Sequence, residues 1–111
     1  MNDYPGEFEQ LVLFALVRLA KTAYGVTIRQ EIESRAKRHV SAGAVYTALE
    51  RMEEKGYVSS WLGEPTRQRG GKRKKFYKLE PMGAKALGSA YAAIQAMAEG
   101  IQSLKVRKSE S

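Results

Sequence analysis

Residues 41–57, SAGAVYTALERMEEKGY, leave the chain little choice of local structure. Ser41 is a strong N-cap residue, and Gly56 stands where a helix would end in a left-handed residue. Between them Val45, Leu49 and Met52 recur at i, i+4 and i+7, which predicts a helix with all three on one face. The first turns of the opposite face carry only Ala42, Gly43, Ala44, Tyr46 and Thr47, with Arg51, Glu53 and Glu54 further on. A face this bare admits close approach of another molecule. If that molecule is DNA, the first-turn amides and the positive dipole end suit phosphate, and the short side chains suit the major groove. The same pattern also fits a plain amphipathic helix whose small residues pack against a neighbour.

Charge separates these readings. The formal net charge is +7 over 111 residues, and its location matters more than its size. Arg67, Arg69, Lys72, Arg73, Lys74, Lys75 and Lys78 lie between Pro65 and Leu79 with no acidic residue among them. Everywhere else basic and acidic residues balance, at twelve each. An excess confined to one short segment is the pattern of a polyanion contact rather than of general solubility.

The length fits one domain with a core and a thin margin of stability. A hydrophobic share of 43% excludes wholesale disorder. Without cysteine there is no disulfide framework, thiolate metal site or cysteine nucleophile, which fits a reducing cytosol. Asp3, Glu7 and Glu9 precede the first apolar run, the reverse of a signal peptide's basic start, and no apolar stretch is long enough to span a bilayer. The expectation is a cytoplasmic protein with no membrane partner.

Along the chain, residues 8–20 predict a helix that is apolar almost all round, through Phe8, Leu11, Val12, Leu13, Phe14, Leu16, Val17 and Leu19. Such a helix must be covered on more than one side. A second helix is expected from Tyr24-Gly25 to about Arg38, with Ile28, Ile32 and the stem of Arg35 or Ala36 inward. His39-Val40 then turns into the Ser41 helix, completing a helix-turn-helix pattern. Residues 57–62 and 75–79 are short, β-prone and aromatic. They read as two strands joined by a flexible link over 63–74 that contains Pro65 and Gly70-Gly71. Tyr77 and Leu79 are expected to face one way, Phe76 and Lys78 the other. Trp61, the only tryptophan, is expected to pack the hairpin onto the body.

A last helix is expected from Pro81 to about Val106. Leu87, Ala90, Ile94, Met97, Ile101 and Leu104 form an apolar seam at 3-4-3-4-3 spacing, and no charged residue occurs from 86 to 98. A helix so poorly charged packs either on a second subunit or back on the body of its own chain. The inventory excludes an enzyme. There is one histidine, His39, and the twelve carboxylates are scattered along the chain, so neither a catalytic group nor a metal cluster is indicated.

Several stretches together resemble the PadR family of bacterial transcriptional regulators, over roughly residues 8–88. They are Tyr24-Gly25, Gly43-Ala44-Val45-Tyr46 with Ala48-Leu49 and Met52, and Glu54-Lys55-Gly56-Tyr57-Val58. The run from Gly70 through Lys72-Arg73-Lys74-Lys75-Phe76-Tyr77-Lys78-Leu79, then Gly83, completes the set. The single helix after the hairpin is similar to the short subfamily. The resemblance implies a winged-helix dimer on an inverted-repeat operator that usually represses, releasing DNA when a small-molecule effector or partner appears. It also implies that Tyr46 and the hairpin's Arg and Lys residues lie at the DNA. Two residues depart from the family pattern. Thr47 replaces a frequent Pro and so offers a hydroxyl on an uninterrupted helix, and Glu80 replaces the usual Thr N-cap of the last helix.

The resulting expectation is a mostly α fold with a small β-hairpin. Residues 1–80 form a winged helix-turn-helix, and 81–111 a C-terminal dimerisation helix with a short tail. Double-stranded DNA is expected at Ser41, Ala42, Gly43, Tyr46, Thr47, Arg51, Arg67, Arg69, Lys72, Arg73, Lys74 and Lys75. A homodimer interface is expected at Leu13, Val17, Leu87, Tyr91, Ile94, Met97, Ile101 and Leu104. No cofactor or metal is called for. The alternatives are a winged-helix protein-interaction module and a nonspecific architectural DNA binder.

Overall fold

Leu13, Ile28, Val45, Leu49 and Met52 are wholly shielded from solvent, and three helices meet around them. In the computed structural model, which describes residues 4–65 and 72–104, these helices are α1 (Glu7–Leu19), α2 (Gly25–Ala36) and α3 (Ala42–Glu54). A 3-10 turn (Ala20–Thr22) links the first two. The antiparallel hairpin β1 (Val58–Pro65) and β2 (Arg73–Leu79) follows, and then α4 (Pro81–Ala98). Each fully buried aliphatic side chain is worth about 1.5–3 kcal/mol, so this junction is the main source of stability. The fold is mostly helical with one hairpin, as the residue patterns predict.

Helix α3 is set by its ends as well as its stripe. Ser41 Oγ accepts the Ala44 amide at 3.1 Å, and Gly56 takes up φ 82° directly beyond the helix. Tyr57 is then a backbone hub. Its amide donates to the Met52 carbonyl and its own carbonyl accepts the Glu80 amide, both at 2.9 Å. Gly83 packs so closely that a methyl group there would overlap the Tyr57 carbonyl. The end of α3, the start of β1 and the start of α4 are thereby joined at one residue. Glu80 does not cap α4 with its side chain; its carboxylate accepts the Ser59 hydroxyl instead, and α4 begins at Pro81 regardless.

The sheet pairs Val58 with Leu79, Ser60 with Tyr77 and Trp61 with Phe76. The strands reach further than expected, so Arg73 and Lys74 are strand residues rather than loop, and the register shifts between Leu62 and Pro65. A third, very short segment joins β2, since Tyr77 N donates to the Ala23 carbonyl at 2.9 Å and Tyr24 bridges Phe76. Tyr77 is buried, while Phe76 lies on the other face, stacked on Trp61 at 5.5 Å. Trp61 remains 41% exposed and walls a cleft of about 490 Å³ with Leu16, Ala20 and Leu79.

Three expectations need correction. Leu13 and Leu87, expected at a subunit interface, are instead core residues, 0% and 6% exposed within their own protomer. Arg35 and Ala36 are exposed, because α2 ends at Ala36 with Lys37 in the left-handed region at φ 57°. Helix α4 stops at Ala98 instead of near Val106. Glu99 is extended and Gly100 sits at φ 80°, so Ile101 and Leu104 lie beyond the helix. Glycine is a poor helix residue and is at home in that left-handed conformation, which explains the stop.

Burial of the Tyr77 ring, followed by the nearby Glu53, Tyr46 and Glu50, raises the phenol's pKa above its ordinary 10.0. The shift favours the neutral phenol in the folded state. Its contribution to stability is therefore fully present below pH 10.0 and is lost as pH rises through the raised value. Wild-type protein should lose stability in this alkaline range faster than Tyr77→Phe, measured by urea unfolding at stepped pH; parallel curves would contradict this. In the same assay at neutral pH, Leu13→Ala should cost about 2–5 kcal/mol, the range for an aliphatic truncation in a closed core.

Candidate nucleic-acid interface

With Val45, Ala48, Leu49 and Met52 turned inward, helical spacing aims Gly43, Thr47, Glu50 and Glu54 directly outward, and all four are exposed. Only the first two turns of that stripe are free of acid. An approaching polyanion therefore meets Ala42, Gly43 and Thr47 and is repelled beyond them by Glu50 and Glu54. The Ser41 hydroxyl oxygen is already an acceptor in the helix cap, although Ser41 itself stays exposed.

The two flanks of α3 are committed to neighbours. On one side Ala44, Thr47, Ala48 and Arg51 line a cleft of about 680 Å³ with Tyr4, Gly6, Glu7, Phe8 and Glu9. Arg51 Nη1 stands 3.9 Å from Glu9 Oε2, and Glu9 Oε1 also accepts the Gly6 amide at 3.3 Å. Arg51 is thus held beside α1, with 62% of its side chain still exposed. On the other side the Tyr46 ring, 44% exposed, reaches back over the start of α2 and lies against Gly25.

The hairpin reaches the start of α2 at the same place. Lys74 Nζ sits 4.7 Å from the centroid of the Tyr24 ring, whose edge packs on Phe76 at 5.5 Å. The series Lys74, Tyr24, Gly25, Tyr46 therefore connects the basic strand to the bare helix through consecutive contacts. Lys75 Nζ lies 5.7 Å from the Tyr77 ring, and Arg73 Nε donates to the Gly63 carbonyl at 2.8 Å. Lys72 is exposed. Arg67 and Arg69, expected to act with them, lie outside the described residues.

The turn that leads into α3 is held by Glu33. Its Oε2 accepts the Val40 amide at 3.1 Å and stands 3.2 Å from His39 Nδ1. His39 is consequently a turn residue. Among the described residues, no cluster of histidine and carboxylate side chains gathers to hold a metal ion, and no helix is long and apolar enough to cross a membrane.

Sequence reasoning missed the Glu9–Arg51 approach, the Tyr24 bridge to Phe76 and the seat of Tyr46 on Gly25. Tyr24-Gly25 was visible as a motif, but its spatial partners lie about 20 and 50 residues away, and no local period announces them.

A family model for the transcriptional regulator PadR-like family matches residues 12–89. A search of curated proteins found no match. Among solved structures, a PadR family transcription regulator from hypervirulent Clostridium difficile R20291 is 26% identical, with TM-score 0.66, over 84% of this chain and 95% of that one. A PadR-like transcription factor from Bacteroides fragilis shares the fold at 24% identity and TM-score 0.72, over 91% and 92% of the two chains. A transcriptional regulator from Clostridium thermocellum does so at 22% and 0.70, over 88% and 89%. With its fold, the run of residues matched and these relatives in agreement, the chain belongs to the PadR-like family of transcriptional regulators.

Proposed function

We propose that this protein is a sequence-specific double-stranded DNA-binding regulator, a cytoplasmic repressor that reads an inverted-repeat operator as a homodimer. The observation that carries the reading is the convergence at the start of α2. There the uncharged first turns of α3 and the basic hairpin are linked through Tyr46, Gly25, Tyr24 and Lys74. In this reading α3 enters the major groove with Ala42, Gly43 and Thr47 foremost, flanked by Tyr46 and Arg51. Lys72, Arg73, Lys74 and Lys75, together with Arg67 and Arg69, hold phosphates.

Hydroxyls and small residues cannot make the bidentate base contacts of Arg or Asn, each worth about 1–3 kcal/mol of discrimination. Direct readout is therefore modest, and DNA shape and half-site spacing supply the rest. Spacing requires two copies. In α4 only Gly83, Leu87 and Ala90 are buried, and every described residue from 91 onward is exposed. Tyr91, Ile94, Met97, Ile101 and Leu104 are between 45% and 78% exposed, and Val17 on α1 is 55% exposed. Phe14, edge-on to Tyr91 at 5.6 Å, makes the α1 and α4 surfaces continuous. An apolar surface of this kind, on a chain that already has a closed core, suits a second copy. In this reading residues 1–80 bind DNA and 81–111 dimerise. An effector, where there is one, acts by changing the separation of the two α3 helices.

The decisive experiment selects duplexes from a random pool and competes the best palindrome against its scrambled sequence in a mobility-shift assay. The palindrome should win by roughly a thousandfold or more. Equal competition would leave a nonspecific architectural binder, and no shift at all would leave a protein-interaction module. For the dimer, Ile94→Lys with Met97→Lys changes two side chains that are 55% and 78% exposed in the protomer, so the fold itself should survive. Sedimentation of that variant at micromolar concentration should show a monomer where the wild type shows a dimer.

A further inference from the structure

We infer that Gly25 is a positioning residue for the reading helix: the side chain it lacks leaves the seat on which the Tyr46 ring of α3 rests. The inference deepens the DNA-binding reading above and rests on it.

Three observations support it. First, Gly25 is the opening residue of α2 and is buried, and its φ does not lie in the positive range that favours glycine. Backbone geometry therefore does not require glycine there, and alanine is the better helix former. Second, the space is taken. A methyl group at Gly25 would overlap Tyr46 Oη and stand 2.5 Å from Cζ and 2.9 Å from Cε1. Third, the occupant comes from the other helix of the pair and is 44% exposed, so the ring is both seated and reachable. Among the glycines described, Gly43, on the outward stripe of α3, has open space around it by contrast, and Gly63 and Gly83, the others without room for a methyl group, meet the hairpin and the Tyr57 backbone rather than α3.

The consequence is specific. The far end of the ring touches backbone rather than a movable side chain, so the distance between α2 and α3 fixes where the hydroxyl stands. A methyl group at residue 25 would expel the ring without harming the core, because the atoms it strikes are the tip of a side chain that is already half exposed. The ring would swing away from α2, and the hydroxyl with it, while Val45, Leu49 and Met52 stay in place. Gly25 and the neighbouring Tyr24, which carries Lys74 on its face, then act together: one sets the tyrosine of the reading helix, the other a lysine of the hairpin.

The test is a double-mutant cycle of Gly25→Ala and Tyr46→Ala on the full chain. The probes are the tightest duplex from a random-pool selection and a scrambled 30-base-pair duplex. Thermal unfolding runs in parallel. Gly25→Ala alone should weaken binding to the selected duplex roughly tenfold, a coupling typical of residues in contact, with the melting temperature unchanged or raised. On the Tyr46→Ala background the same change should alter affinity less than about twofold, because there is no ring left to displace. A fall in melting temperature on the wild-type background would mean that the ring does not swing clear of residue 25, and would overturn the inference. Equal losses on both backgrounds, or no loss on either, would overturn the inference. A wild-type chain that binds no duplex would instead remove the function proposed above, and this inference with it. The two failures are therefore distinguishable.

Discussion

The surface this molecule presents follows from how helix α3 divides its side chains. Val45, Leu49 and Met52 are wholly buried, so every aliphatic side chain of size on the helix faces inward. Its outward stripe is then glycine and threonine for two turns and glutamate for the next two. The first half can approach a polyanion, and the second half repels it. A helix that offers only its N-terminal turns, with its dipole positive at that end, is oriented before any partner arrives. The core that stabilises the fold and the bareness that permits recognition come from one 13-residue segment.

Holding that helix end still is the task of its neighbours, and the two flanks do it differently. Glu9 faces Arg51 across 3.9 Å, a long and partly solvated approach that is electrically weak and adjustable. The Tyr46 flank is steric, the tip of the ring against backbone. The hairpin joins the steric side through Tyr24 and its rings, Trp61 on Phe76 and Phe76 on Tyr24, with Lys74 over the last. Aromatic contacts of this geometry are worth about 0.5–1.5 kcal/mol beyond the area they bury. Lys74 of the hairpin is thus connected to α3 through Tyr24, Gly25 and Tyr46.

Much of this was legible in the sequence, for a physical reason that also explains what was not. Ser41, the i, i+4, i+7 stripe and Gly56 are local signals, and local signals placed α3 correctly at both ends. The alternation Phe76, Tyr77, Lys78, Leu79 likewise gave the faces of β2. What failed depended on competition for burial between distant parts of the chain. Leu13 and Val17 occupy the same predicted helix and have the same apolar character. Only the packed structure shows that Leu13 is enclosed while Val17, one turn further on, is left 55% exposed. Leu87 and Ile94 divide in the same way along α4. A seam read at constant spacing contains no mark of where the protomer's own core ends.

That boundary falls at Ala90, and its position has a consequence for assembly. Up to Ala90 the helix is bound to the winged-helix body through Gly83, Leu87 and Ala90; past it, the helix projects beyond the core. The radius of gyration is 15.8 Å, against about 13 Å for a compact chain of this length. Burying Tyr91, Ile94 and Met97 against a second copy would recover about 1.5–3 kcal/mol for each side chain fully covered. The same helix that carries them starts at Pro81, next to the Glu80 amide that donates to the Tyr57 carbonyl, and the Tyr57 amide in turn donates to Met52 in the last turns of α3. Two copies docked along α4, as proposed, would therefore have the separation of their α3 helices set through a short and well-bonded path. In the function proposed above, where α3 would offer few direct base contacts, that separation would be the quantity best able to select one DNA site over another.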